Sequence, residues 1–315
     1  MVLAVKKLLY LLKAKMRKAR QRNKSLPVDR LIEAILSGDP DGLLQGPSFD
    51  LSPFERWVLL EKGLRGSRNP VLHFLHVPKT GGTTLTAALA ADRRFLVVSV
   101  DGPPDVFIRQ IRGIMESRER KLVFIRAHHG WSLVRQSGAA GHVDFAFTTI
   151  REPAAIHASN ANMIVRRIQR LVGGQSQSQE EREYATRWLD IMQGRHGEDS
   201  RFAVEILSTP EYRREMGGVY STMFDVPDWK DDVLGGRLLC IDMEQLDRFF
   251  AEGFGYVQPP PRKNVSTDGP LATDQIPAAI LDPLIDPDLE IFRFLSESKV
   301  APEQAVARLR ALMES

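Results

Sequence analysis

The chain has 315 residues, 43% hydrophobic and 26% charged, enough to bury a sizeable core as one large domain or two small ones. A single cysteine, Cys240, excludes an intrachain disulfide and a thiolate metal cluster and suits a reducing, cytoplasmic compartment. The net charge of +3 hides a segregation: nine of the 43 Lys and Arg lie in residues 1–24, which hold no acid, so the rest of the chain is acidic and a poor nucleic-acid binder.

Residues 1–25 interleave Leu3, Val5, Leu8, Leu9, Leu12 and Met16 with those bases at helical spacing, which predicts a basic amphipathic helix. Its apolar run is too short for a secretory signal or a membrane span. The expected roles are packing of its leucines on the body, or peripheral attachment to an anionic membrane through residues 1–24. Residues 26–70 read as a helical extension, with helices over 28–36 and 53–62 separated by a loop over 37–47. Nothing in it carries evident chemistry.

From residue 71 strands alternate with helices: strand 71–77, helix 83–91, strand 95–100, helix 104–117, strands 121–127 and 143–150, and a long helix over 153–171. Such alternation predicts parallel βαβ units, hence an α/β sheet covered on both faces, in a domain over 71–315. The polar stretch 173–178 reads as a loop or lid, and 179–193 returns to helical spacing. A last core strand over 237–242 contains Cys240, expected to be a small buried apolar residue. A helix over 244–251, a proline-rich loop over 258–268, and helices over 287–298 and 302–313 complete the chain.

The chemistry concentrates in three strings. In His76-Val77-Pro78-Lys79-Thr80-Gly81-Gly82-Thr83-Thr84, a strand ends in a glycine turn that opens directly into a helix. That arrangement gathers backbone N–H groups around one point, where the helix dipole and the Thr hydroxyls favour an anion. The lysine precedes the glycines, so this is not the G-x-x-x-x-G-K-[ST] loop. A second string, Thr149-Ile150-Arg151-Glu152-Pro153, sets an Arg at a strand mouth, with Pro153 starting a helix on which Ser159 lies two turns in. Between them, Arg126-Ala127-His128-His129-Gly130-Trp131 places two imidazoles at a strand end, where one could take a proton near pH 7.

The first string resembles the 5′-phosphosulfate loop of sulfotransferases, particularly the branch with the heparan sulfate 2-O- and 6-O-enzymes and bacterial relatives. The second resembles that family's 3′-phosphate element, except that Ile156 and His157 stand where the family often has a further Arg. The His pair lies where the family often has a His followed three residues later by an aromatic, which puts His128, with Trp131, in register as base, and His129 as the competing choice. The resemblance spans roughly 71–298 and implies a three-layer, P-loop-kinase-like fold with a central parallel sheet. It implies 3′-phosphoadenosine 5′-phosphosulfate (PAPS) as donor, no catalytic metal, and a hydroxyl acceptor, most commonly a carbohydrate.

By the same resemblance Lys79, Thr80, Gly81, Gly82, Thr83 and Thr84 would hold the 5′-phosphosulfate, and Lys79 and His128 would be catalytic. Arg151 and Ser159 would hold the 3′-phosphate, joined by Arg262 and Lys263 from the proline-rich loop. Two alternatives stand beside it. An ATP-dependent phosphotransferase would use Asp242, at the end of an apolar strand, to hold Mg²⁺, although the Lys-Ser/Thr pair expected after the glycines is missing. A non-catalytic nucleotide-binding scaffold is the other.

Overall fold

Five parallel strands realise the predicted alternation in the computed structural model, which describes residues 51–175, 178–256 and 269–314. The predicted elements over 1–25, 28–36 and 37–47 and the loop over 258–268, with Arg262 and Lys263, lie outside the described residues. The strands are β1 (Val71–Leu75), β2 (Phe95–Ser99), β3 (Leu122–Ala127), β4 (Phe145–Ile150) and β5 (Leu238–Asp242), in the order β2-β3-β1-β4-β5. All four pairings are parallel. Every residue of β1 and β4 is buried, as a central strand covered on both faces requires.

Side chains of alternate parity leave the sheet on opposite faces and seed two cores. On one face Leu72, Phe74, Phe124, Phe147 and Ile241 meet α2 (Gly82–Ala90), α11 (Leu246–Phe254) and α13 (Pro302–Glu314) through Leu85, Leu89, Phe249 and Leu309. On the other, Val71, Leu75, Ile125 and Ala146 meet α1 (Pro53–Leu64), α3 (Pro104–Glu116), α4 (Trp131–Gln136) and α5 (Pro153–Val172). Helix α1 starts on a capping box, Ser52 accepting from the Glu55 N–H while the Glu55 carboxylate accepts from the Ser52 N–H. Its Trp57, Leu59, Leu60 and Leu64 belong to the core of the sheet, so this part of the predicted extension packs within the fold.

Three features depart from expectation. Four short helices, α7 (Ser200–Leu207), α8 (Pro210–Met216), α9 (Val219–Met223) and α10 (Trp229–Leu234), follow α6 (Gln179–Ile191) and fill a stretch that carried no prediction. Local caps start two of them, Asp199 accepting from Phe202 N–H and Thr209 from Tyr212 N–H. The short α4 was likewise unpredicted. Helix α12 (Ala278–Glu297) begins well before the predicted start at 287 and runs through Pro283 and Pro287. Proline favours a first turn, which is why 287 looked like a start, but buried Leu284 holds the preceding segment on the core.

Strand order positions the site. Leaving β1 the chain crosses to β2 through α2 on one face, whereas β4 leads into α5 on the other. Neighbouring strands whose helices depart to opposite faces leave a crevice at their carboxyl ends, where open α/β sheets bind ligands. Among the described residues no helix is long and apolar enough to cross a membrane.

Because Trp57 is fully buried, Trp57→Ala should destabilise the protein by about 3–5 kcal/mol, read from the midpoint of denaturant unfolding. A change near zero would mean that α1 is dispensable to the core.

Candidate functional site

The turn after β1 is held in an unusual backbone. Lys79 has φ +66° and Gly81 φ +87°, the latter as N-cap of α2. A lysine in the left-handed region costs of order 1 kcal/mol or more and persists only when its surroundings impose it. Here β4 imposes it. Thr149 Oγ1 donates to Thr80 O (2.8 Å), Arg151 Nη1 donates to Lys79 O (3.2 Å), and buried Thr80 Oγ1 donates to Val77 O (2.7 Å). Gly81 supplies no side-chain cap, so the first N–H groups of α2, on Gly82 and Thr83, have no partner within the helix. A Cβ on Gly82 would lie 2.2 Å from Nε2 of His76. The glycine is therefore needed to seat the histidine ring, a reason beyond close approach to an anion.

Three arginines act electrostatically on the lysine of this turn. Burial, then Arg167, Arg166 and Arg151 in that order, bring the Lys79 ammonium down to about 8. Arg151 is itself lowered by burial, with Glu152 acting in the opposite direction. The Glu152 carboxylate is engaged as the N-cap of α5, accepting from Ala154 and Ala155 N–H. Tyr220 fixes the Arg151 backbone, accepting from its N–H (2.8 Å) and donating to its carbonyl (2.6 Å). The Arg167 guanidinium lies 4.7 Å from the centroid of the Tyr184 ring on α6. Like charges gathered this closely disfavour one another, and an anion among them relieves the repulsion. Arg166 and Arg167, within the helix predicted over 153–171, were not singled out by the sequence.

On the other side of β1, the partners fix the state of each imidazole. A guanidinium only donates, so Nε2 of His128, 2.5 Å from Arg126 Nη2, is bare and Nδ1 carries the proton, donated to His76 O at 2.9 Å. His76 Nδ1 accepts from Arg126 Nε (2.9 Å), and its ring lies 4.1 Å from that of His128. His129 Nδ1 accepts from Trp57 Nε1 (3.0 Å), which leaves its Nε2–H toward Asp101 Oδ1 at 3.4 Å. Asp101 also accepts from the His128 backbone N–H. Burial, then Arg126, hold His128 down to about 4, and burial lowers His76 and His129 too. His128 is thus neutral at pH 7.

The structure links Lys79, Thr80 and Arg151 by hydrogen bonds and sets Gly81, Gly82, Thr83 and Thr84 at the start of α2, with His128 across β1 from Arg151. Ser159 is buried in the second turn of α5. The ring of Trp131, the expected companion of His128, stacks on His73, and its Nε1–H donates to Asp232. Cys240 is buried in β5, which pushes its thiol up to about 12. A cavity of about 390 Å³ lined by Arg68, Arg120, His142 and Asp144 opens at the opposite end of the sheet, and another of about 470 Å³ lies beside α7. Neither adjoins the crevice, and the geometry of parallel sheets favours the crevice as the ligand site. No family model matches this chain, and no curated protein or solved structure matches it either.

The lowered Lys79 yields a test. Below about pH 8 its charge opposes folding, and that penalty fades as pH rises from 8 toward the ordinary value of 10.5. Lys79→Met should therefore raise Tm by a few degrees at pH 7 and gain less at pH 9, while losing the stabilisation that inorganic sulfate gives the unmodified protein. Unchanged Tm with an intact sulfate response would remove Lys79 from the anion site.

Proposed function

We propose that the chain is a PAPS-dependent sulfotransferase that moves a sulfuryl group to an acceptor hydroxyl, of a carbohydrate or glycoconjugate, by in-line displacement. The observation that carries this reading is the pairing, across the β1–β4 crevice, of an uncapped helix start beside Lys79 with Arg151 just past the end of the adjacent strand. A donor with phosphates at both its 5′ and 3′ positions suits two cationic sites of that kind. The sheet, with helices on both faces, is compatible with the kinase-like three-layer fold that the resemblance implies.

In this reading Gly81, Gly82, Thr83 and Thr84 hold the 5′-phosphate, Thr80 secures the turn beneath them, and Arg151 and Ser159 take the 3′-phosphate. Arg262 and Lys263 belong to a loop that closes on the nucleotide. The acceptor oxygen bonds to sulfur as the bridging S–O bond breaks. The electron pair leaves on the 5′-phosphate, and the hydroxyl proton passes to His128. Lys79, a cation at pH 7, meets the charge growing on the bridging oxygen, an electrostatic stabilisation set up before the reaction begins. A magnesium-dependent phosphotransferase is less well supported: the Asp242 carboxylate at the end of β5 is bonded to Lys299 Nζ (3.2 Å) and to Glu244 N–H (3.1 Å), as befits a helix-start cap.

Calorimetry without Mg²⁺ should find adenosine 3′,5′-bisphosphate bound far more tightly than AMP or ATP. Equal affinity for AMP, or a strict magnesium requirement, sinks the reading. His128→Ala should leave bisphosphate affinity unchanged and lower donor turnover roughly 10²–10⁴-fold. Since His128 is held down to about 4 in the free protein, kcat/KM for the donor should stay level below pH 6.5 and decline only as pH approaches 4. Near-normal turnover in both His128→Ala and His129→Ala would refute the imidazole base.

A further inference from the structure

The unresolved question at this site is why the proposed base has its lone pair covered. Nε2 of His128 is the only nitrogen of that ring able to accept a proton, and Arg126 Nη2 already donates to it at 2.5 Å. The same guanidinium donates through Nε to His76 Nδ1. Among the described residues no carboxylate lies within ion-pair distance of Arg126. Asp101 and Glu180 act on it only at longer range. A largely buried guanidinium whose two hydrogen-bond partners are neutral imidazoles has no ion-pair partner at hand, a costly state in a protein interior.

That charge is well placed for an anion. Arg126 is the penultimate residue of β3, one strand from the turn that carries Lys79, and both cations act on the ring of His76. The register sets Arg126 opposite Phe74 of β1, and its guanidinium reaches the His76 ring at the start of the Lys79 turn. We infer that Arg126 is a further catalytic residue, which binds the equatorial oxygens of the transferring sulfuryl group and in turning to them releases His128 Nε2 to take the acceptor proton. The inference rests on the sulfotransferase reading above. Atoms balance without another reactant: the acceptor O–S bond forms, the bridging S–O bond breaks with its electron pair on the 5′-phosphate, and the proton ends on His128. Guanidinium suits the task because it is planar, weakly hydrated and forked. In the absence of a sulfuryl group Arg126 keeps the base covered, so the base is exposed only when there is a group to transfer.

The groups that face His128 are Arg126 from β3, His76 from the turn after β1, Asp101 from the loop after β2, and neighbouring His129. Arg126 and His129 lower it, and Asp101 and the His76 carbonyl raise it. Removing Arg126 therefore moves His128 protonation to higher pH.

The test uses the full chain and needs no acceptor. Calorimetry with PAPS and with adenosine 3′,5′-bisphosphate gives the preference for the sulfated donor. In Arg126→Met this preference should fall roughly tenfold or more, as loss of a charge-assisted hydrogen bond implies, while bisphosphate affinity stays within about threefold. Arg126→Lys should retain part of it. In unmodified protein, imidazole ¹⁵N signals of His128 should titrate at higher pH with bisphosphate plus inorganic sulfate than with bisphosphate alone. In Arg126→Met the higher value should appear without sulfate. An unaltered donor preference in Arg126→Met, or a His128 titration that sulfate does not move, overturns the role of Arg126. Failure of the unmodified protein to bind either nucleotide overturns the sulfotransferase reading itself, and this inference with it.

Discussion

The grip of β4 on the turn leaving β1 is the constraint on which the rest of the carboxyl edge depends. Pairing of Leu75 with Thr148 brings the end of β4 alongside that turn. Thr148 Oγ1 donates to Leu75 O, Thr149 Oγ1 to Thr80 O and Arg151 Nη1 to Lys79 O, while Thr80 Oγ1 takes Val77 O and the Thr84 and Leu85 N–H groups take Gly81 O. The turn's carbonyls at these five residues are thus satisfied by protein donors. What the turn has left to offer is N–H groups, together with a lysine that its backbone would not otherwise tolerate at positive φ. A strained lysine is the cost of this arrangement, and an anion receptor is what it produces.

Charge is distributed about this turn in a way that separates two tasks. Toward β4 lie Arg151 and, from α5, Arg166 and Arg167, which act on Lys79 through space. Toward β3 the groups are imidazoles that burial keeps neutral at pH 7, two of them bonded to Arg126. Cations hold an anionic group and meet charge on a leaving group, whereas a neutral imidazole can accept a proton. The β1 turn stands between the two sets. Its own His76 bridges them, its ring seated on Gly82 and its carbonyl fixing the His128 tautomer.

Much of this was legible in the sequence because it was local. The strands appear within a residue or two of their predicted ends, since uninterrupted Val, Leu, Ile and Phe flanked by Gly, Pro and Asp identify buried strands. Lys79, Arg151 and His128 stood out as candidates because each sits at a strand end beside a turn or helix start. The missed features depend on tertiary proximity. Arg166 and Arg167 matter because α5 carries them within reach of Lys79, and Arg126 because its side chain reaches two rings whose backbone neighbours are 50 and 2 residues away. No periodicity encodes either relation. The short helices over 200–234 were missed for another reason: each is only a turn or two long, so hydrophobic spacing cannot declare it, although their caps at Asp199 and Thr209 were readable.

The region before the first strand matters to the site for the same reason. It lies outside the stretch that resembles a sulfotransferase, and by sequence it carried no chemistry. Yet Arg56 on α1 donates to the carbonyls of Val100 (2.7 Å) and Gly102 (2.5 Å), on either side of Asp101. Trp57, one residue on, donates to His129 and thereby directs Nε2–H of that ring toward Asp101. Two adjacent residues of one helix thus set both the loop that carries the carboxylate and the ring that faces it. Asp101 in turn receives the backbone N–H of His128. The position of the proposed base is therefore determined partly from outside the strand–turn–helix units that bear the recognisable motifs. A fragment beginning at Val71 would keep every motif residue but lose the helix that fixes the loop beside the His pair.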